Sequence, residues 1–288
     1  MMKKIAVIDI GSNSVRLMFV ADGKILYKDL EITRLGEGLA ATGVLSLDAI
    51  QRSALAVQRF AERAKSEGAE IVCAFATAAV RSAKNGGDFV SAVKALCGIE
   101  VDVISGEEEA EIGILGALGT GDGGIIDVGG ASTEIIVRAD GKIVYKKSVN
   151  VGVVRLKDVC GRDEDVLKNR AKAEVTAFGK VPACEMYAIG GTATSIASIL
   201  LKQKVYNGAE VSGFALTKDL LQEAVAYLAN TSPKQVSEET CVPFKRAEVI
   251  LGGAIWLLTV VETLGIAKLY VSDADNLEGY AIRHRLMV

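Results

Sequence analysis

The chain has 288 residues and a formal net charge of -3 at pH 7, with 50% of its residues hydrophobic and 24% charged. That length supplies roughly two ordinary domains with buried cores. A charge so close to balance excludes bulk attraction to nucleic acid or to an anionic membrane, so neither is expected as a partner, and a polyanionic ligand would have to be met by locally placed Arg and Lys.

Only three prolines and no long polar tract point to order from end to end. The opening MMKKIAVIDIG has no adequate apolar stretch for a signal peptide. Five cysteines, at 73, 97, 160, 184 and 241, are odd in number and form no CxxC pair, so a cytoplasmic protein with reduced, buried thiols is expected. The single histidine, His284, is expected on the surface, and one histidine is too few for a His-based metal cluster. It also makes a Ser-His-Asp relay a poor candidate.

The first element, residues 8–28, IDIGSNSVRLMFVADGKILYK, reads as strand, glycine turn, strand, Asp-Gly turn, strand. A helix follows over residues 47–67 with Ser46 as its N-cap, then the strand EIVCAFAT and a helix over 88–96. The strand IEVDVIS and the helix GEEEAEIGILGAL complete this half. Residues 126–146, IDVGGASTEIIVRADGKIVYK, then repeat the first element without a gap, with 11 of 21 residues identical at a constant offset of 118. Local propensity does not reproduce a sequence so closely, and a duplicated domain does. The pattern resumes with a helix over 163–178, the strand MYAIGG, and helices over 194–201, 217–229 and 245–264, followed by the strand AKLYVSD. The uncharged run at 249–261 is shorter than a bilayer requires and is read as a buried helix.

Each half is thus a three-stranded start followed by βαβ crossovers. The expected fold class is α/β, with a mixed sheet in each of two lobes and an interlobe cleft. The expected domains are 1–120 and 121–275, leaving open whether a C-terminal helix at 276–288 returns to the first.

Three runs of small residues could each aim several backbone N–H groups at one anion, with hydroxyls adding further donors. They are Gly11, Ser12, Asn13 and Ser14; Gly129, Gly130, Ala131, Ser132 and Thr133; and Gly190, Gly191 and Thr192, continuing to Ser195. Three such runs in one chain, two of them related by the repeat, point to a chain of phosphates. Asp9 and Asp127 end equivalent strands, where they could flank one Mg²⁺, and Glu134 on the returning strand could reach the same ion. The alternative for each aspartate alone is a turn-capping role. In SGEEEAE, Ser105 and Glu108 spell a capping box, and acids in a first helical turn suit the helix dipole. One glutamate there could instead be a general base, and spacing does not choose among Glu107, Glu108 and Glu109.

The segments IDIGSNSVRL, TRLGEGL, ATAAVRSAKNG, VISGEEEA, IDVGGASTE, GVVRL, AIGGTATSIASI and RAEVILGGA run in order over essentially the whole chain. Together they resemble the exopolyphosphatase and guanosine pentaphosphate phosphohydrolase family. The resemblance implies a duplicated actin-like, ribonuclease-H-type fold. It also implies Mg²⁺-dependent hydrolysis of a terminal phosphoanhydride, in inorganic polyphosphate or a phosphorylated guanosine nucleotide. On the same basis Glu109 is the general base, Asp127 and Glu134 are the catalytic acids at the metal, Asp9 lies in the first phosphate motif and Arg81 contacts phosphate.

Ala131 stands where a third glycine is usual, and VSDADNLEG stands where arginines are often found, a departure that bears on substrate more than on chemistry. Long family members also carry a C-terminal helical domain of HD type for which there is no room here, so short polyphosphate or a phosphate-tailed nucleotide is expected. Two rival functions use the same loops: a non-catalytic alarmone or polyphosphate sensor, and an actin-like kinase or ATPase. A monomer and an isologous homodimer fit equally well.

Overall fold

A computed structural model describes residues 4–287. The chain divides into two compact units, one drawn from residues up to Gly116 and from Asn276 onward, the other from Ala117–Asp275.

The first unit holds strands β1 (Lys4–Ile10), β2 (Ser14–Ala21), β3 (Lys24–Ile32), β4 (Ile71–Ala76) and β5 (Val101–Val103), in the order β3-β2-β1-β4-β5. The β1–β2 and β2–β3 pairs are antiparallel; β1–β4 and β4–β5 are parallel. Its helices are α1 (Leu39–Thr42), α2 (Leu47–Ser66), α3 (Ala78–Ser82), α4 (Gly86–Cys97) and α5 (Gly106–Leu118). Ser46 caps α2 by accepting a hydrogen bond from Ala49 N at 3.2 Å. The side chains of β1 divide with the period of a strand. Ala6, Ile8 and Ile10 join Val57, Phe60 and Phe89 of α2 and α4 on one face, while Ile5 and Val7 join Phe75 and Ile112 on the other.

The second unit holds β6 (Gly123–Val128), β7 (Thr133–Ala139), β8 (Lys142–Val149), β9 (Met186–Ile189), β10 (Ala215–Thr217) and β11 (Lys268–Val271), in the order β10-β11-β9-β6-β7-β8. Its helices are α6 (Val153–Cys160), α7 (Glu164–Val175), α8 (Gly190–Leu200), α9 (Gly208–Val211), α10 (Lys218–Asn230), α11 (Pro233–Glu239) and α12 (Phe244–Leu264). Helix α12 is long and apolar enough to cross a membrane by length and composition, yet 67% of its most apolar window is buried, with Trp256 and Leu257 fully enclosed. A last helix, α13 (Asn276–Arg283), sets Leu277, Tyr280 and Ala281 into the second face of the first unit's sheet. It approaches α5 so closely that a Cβ on Gly279 would lie 1.7 Å from the carbonyl oxygen of Ile112.

Read outward from the hairpin, both units share one strand order, and the second adds β10 at its edge. The duplication extends to fine detail. Bulges fall at Phe19/Val20 and at Val137/Arg138, the same positions 118 residues apart. Both Asp-Gly turns take positive φ at both residues, 50° and 74° at Asp22 and Gly23, 51° and 70° at Asp140 and Gly141. This twice-built mixed sheet is the expected actin-like, ribonuclease-H-type fold.

The structure adds α1, α3, α6, α9, α11 and β10, pieces too short for hydrophobic periodicity to reveal. Helix α8 begins at Gly190, not at 194, because two glycines of low helix propensity disguise its first turn. Of the cysteines expected inside, only Cys160 is buried; Cys73, Cys97 and Cys241 are half-buried and Cys184 is exposed in the approach to β9. His284 is exposed, its ring stacked on Tyr280 at 4.1 Å between centroids.

Candidate active site

In the first unit the 11–14 turn is closed by a hydrogen bond from Gly11 N to Ser14 O at 3.0 Å and backed by the segment that follows β3. Thr33 N and Arg34 N donate to Asn13 O at 3.1 and 2.9 Å, and Gly36 N donates to Ser12 O at 2.8 Å. With the carbonyls held from behind, the amides of Ser12 and Asn13 donate to no other described residue. Two residues upstream, buried Asp9 stands in register opposite Arg16, which donates from Nε to Asp9 Oδ2 at 3.0 Å and from a terminal nitrogen to the same oxygen.

The three glutamates at the start of α5 separate cleanly. Glu108 completes the capping box: Ser105 N donates to its Oε2 at 3.0 Å, and Glu108 N donates to Ser105 Oγ at 3.1 Å. The Ser105 backbone N–H, which binds the ionised form, holds this carboxyl below its ordinary value, and the Ser105 side chain and the Arg283 charge add to the effect. Glu107 is exposed, whereas Glu109 is buried at 8% exposure. Arg81 Nη1, carried on α3, donates to Glu109 Oε2 and to Ile104 O, both at 2.9 Å. Arg81, expected on phosphate, is therefore tied to the one buried glutamate of the three.

The second unit repeats the turn. Gly129 N donates to Ser132 O at 2.9 Å, and Val154 N donates to Gly130 O at 2.9 Å, the counterpart of the Gly36 to Ser12 bond. Gly152 has no room for a Cβ, which would lie 2.5 Å from the carbonyl carbon of Gly130. As in the first copy, the amides of Gly130 and Ala131 donate to no other described residue.

Asp127 on β6 stands in register opposite Glu134 on β7, and Ser148 Oγ donates to Glu134 Oε1 at 2.5 Å. Asp127 also neighbours Ile189, so it borders the start of α8, where the capping position is Ile189 and no side chain caps the helix. At Gly190, φ is +78° and a Cβ would sit 2.6 Å from Asp127 Oδ1. Arg246 Nη1 donates to Gly191 O at 3.2 Å and to Ser195 Oγ at 3.4 Å. Uncapped N–H groups at a helix start, with the dipole behind them, favour an anion.

Two carboxylates directly across a strand pair are unfavourable without a cation. Mg²⁺ commonly takes one or two carboxylates together with substrate phosphates and water. The Asp127–Glu134 pair fits that donor set, at a place where glycine keeps the space over Asp127 clear. Among the described residues no group of three or more His, Cys, Asp or Glu is gathered as a metal cluster, so phosphate and water would complete the coordination.

Two hydroxyls expected to donate to phosphate are committed elsewhere. Thr133 Oγ1 donates to Val151 O at 2.6 Å and accepts from Trp256 Nε1 at 2.7 Å, deep in the core. Thr192 Oγ1 donates to Val128 O at 2.7 Å. A hydroxyl has one proton, so at Thr192 only the backbone N–H is left for an anion. Which way a threonine turns is set by packing, and a string of residues does not show it. The run from Gly190 is likewise the first turn of a helix and not a loop. Sequence reasoning assigned no role to Arg16, Ser148 or Arg246; aligning the two hairpins would have flagged Arg16 as the position matching Glu134.

Residues 14–286 match the model of the Ppx/GppA phosphatase family. Exopolyphosphatase 2 of Mycobacterium tuberculosis is 31% identical over an alignment that covers 97% of this chain and 98% of that one. A guanosine-5'-triphosphate,3'-diphosphate pyrophosphatase of Photobacterium profundum is 30% identical, with 95% of this chain aligned to 58% of it. The crystal structure of the Aquifex aeolicus member of the Ppx/GppA family superposes with a TM-score of 0.79 at 29% identity, covering 99% of this chain and 98% of the other. An exopolyphosphatase of Cytophaga hutchinsonii, 22% identical with a TM-score of 0.85 over 98% of each chain, shares the fold. The family match over nearly the full length, together with the similarity to these proteins, shows that the chain belongs to the Ppx/GppA phosphatase family.

Proposed function

We propose that the protein is a Mg²⁺-dependent hydrolase that releases terminal phosphate from inorganic polyphosphate or guanosine pentaphosphate, with Glu109 as its general base. The observation that carries this is the separation of the three glutamates: Glu108 closes the helix cap and Glu107 is exposed, while Glu109 is buried and held by Arg81. The substrate class is supported by family membership and by relatives named for those two activities.

Asp127 and Glu134 would hold the Mg²⁺, which when bound neutralises phosphate oxygens and polarises the scissile phosphoryl group. The amides of Ser12 and Asn13, of Gly130 and Ala131, and of Gly190, Gly191 and Thr192 bind phosphate oxygens. The carbonyl bonds behind the two turns fix those amides in advance, so little reorganisation is needed as charge shifts in the transition state. Arg81 holds the Glu109 carboxylate in place, and that carboxylate orients the attacking water and accepts its proton. Positioning and charge stabilisation are what phosphoryl transfer chiefly requires of a protein.

The test is phosphate release in Mg²⁺ by the wild type and Glu109→Gln on short polyphosphate, long polyphosphate, guanosine pentaphosphate and ATP. Release from one of the first three, reduced about 10²-fold or more by the substitution, is the expected result. Binding without release from any of them would replace hydrolysis with a sensor function, and transfer from ATP to a sugar would point to a kinase.

A further inference from the structure

A positive side chain suits the last turn of a helix, where it meets the negative pole of the dipole. Arg155 stands at the other end: it is the third residue of α6, just after the extended capping residue Gly152, and no acid shares that first turn. Its Nε is buried yet donates to no acceptor among the described residues, and the rest of the guanidinium makes no hydrogen bond or ion pair there. The equivalent position of the first unit, 118 residues earlier, is Glu37, which has Arg34 at 4.0 Å and Arg52 at 3.8 Å. An unfavourable dipole and an unpaired buried donor both oppose folding, so packing within the chain does not account for an arginine at 155.

Beside Arg155 lies the second glycine turn. Arg155 N donates to Gly130 O at 3.3 Å, and a Cβ on Gly152 would lie 2.6 Å from Ala131 N. Helical Cα–Cβ bonds tilt towards the helix start, and residues three apart share a face. The Arg155 stem is therefore directed back over Gly152, whose lack of a side chain leaves the way to the Gly130–Ala131 peptide open. We propose that Arg155 is a substrate-binding residue, its guanidinium meeting a phosphate whose oxygens also accept from the amides of Gly130 and Ala131. Its role rests on those amides being a phosphate site, to which it adds a full charge and a planar set of N–H donors matched to phosphate oxygens.

The test measures affinity for inorganic tripolyphosphate in Mg²⁺ by titration calorimetry, with guanosine pentaphosphate as a second probe, in a Glu109→Gln parent so that neither is consumed. Arg155→Met and Arg155→Gln, each added to that parent, should weaken binding about tenfold or more, as expected for a hydrogen bond between charged groups, and Arg155→Lys should recover part of the loss. Arg170→Met removes the same charge from an exposed arginine of α7 that is paired with Glu174 at 2.7 Å, and should change the affinity less than about twofold. Urea midpoints without ligand should be equal or higher in the Arg155 variants, which have no partner to lose. Binding that Arg155→Met and Arg155→Gln leave unchanged, or weaken no more than Arg170→Met does, would overturn the role of Arg155 alone. Failure of both variants to fold would make it a structural residue and overturn the proposal as well; if only one fails, the other decides. No binding of either probe by the parent would overturn the phosphate site and Arg155 with it. Undiminished phosphate release by the parent would overturn Glu109 as the base, separately from Arg155, whose contribution would then be read from KM.

Discussion

Replacing Thr133 by valine keeps the shape of the side chain and removes one oxygen. That oxygen accepts from Trp256 Nε1 and donates to Val151 O, and both Thr133 and Trp256 are 0% exposed. Its loss leaves one buried donor and one buried acceptor unpaired at about 1–3 kcal/mol each, so the second unit should lose about 2–6 kcal/mol of stability. Thr133→Ser keeps both hydrogen bonds and gives up a methyl group, at about 1 kcal/mol. A hydroxyl reserved for phosphate predicts the reverse: valine would change stability by less than about 0.5 kcal/mol, as most substitutions away from such features do, and would weaken substrate binding. Trp256 is the chain's only tryptophan and touches the altered group, so urea unfolding followed by its fluorescence reads the relevant unit directly. Equal midpoints for the wild type and Thr133→Val, joined to a raised KM for polyphosphate, would refute the assignment of this hydroxyl to the core.

Gly190→Ala and Gly23→Ala meet similar φ, +78° and +74°, and so share a backbone strain of about 1–2 kcal/mol. Only the first drives a methyl against Asp127 Oδ1, so it should cost more stability and weaken Mn²⁺ binding severalfold, while Gly23→Ala leaves that binding unchanged; equal Mn²⁺ affinity in the two would count against Asp127 as a ligand. Gly279→Ala would press a Cβ into the backbone of α5 and should cost about 3 kcal/mol, at the upper range for overpacking; an unchanged thermal midpoint would show that α13 yields freely. Glu108 has its carboxyl held below the ordinary 4.5, so its contribution is fully present above about pH 4.5 and is lost as pH falls through the lowered folded value. The stability gap between wild type and Glu108→Gln should accordingly narrow as urea midpoints are taken from pH 7 towards strong acid, and a gap independent of pH would show that ionisation is not what stabilises the cap.

The hairpins were legible because their punctuation is local. An Asp-Gly turn demands positive φ and a glycine turn demands small residues, so the duplication left a readable trace in both copies. Ser46 and the Ser105–Glu108 box were legible for the same reason, since capping links residues three apart. Glu109 could not be told from its neighbours by spacing, because what distinguishes it is burial and an arginine 28 residues earlier in the chain. The hydroxyls of Thr133 and Thr192 misled for a related reason: their partners, Trp256 and Val128, lie 123 and 64 residues away. The beginning of α8 was hidden because Gly-Gly after a strand suits a loop as well as it suits a helix start that receives an anion.

The return of α13 to the first unit sets an order on biosynthesis. The second unit is one uninterrupted stretch, Ala117–Asp275, so every residue of its core has emerged before α13 is made. The first unit must wait, since the face formed by Ile5, Val7, Phe75 and Ile112 is closed by Leu277, Tyr280 and Ala281. Domains tend to fold as units while the chain is being made, and an apolar face left open in that interval is exposed to chaperones and to misassociation. Glu109 sits on α5, the helix against which Gly279 packs, so a nascent chain can complete the Asp127–Glu134 pair of its second unit before the helix that carries Glu109 has been clamped.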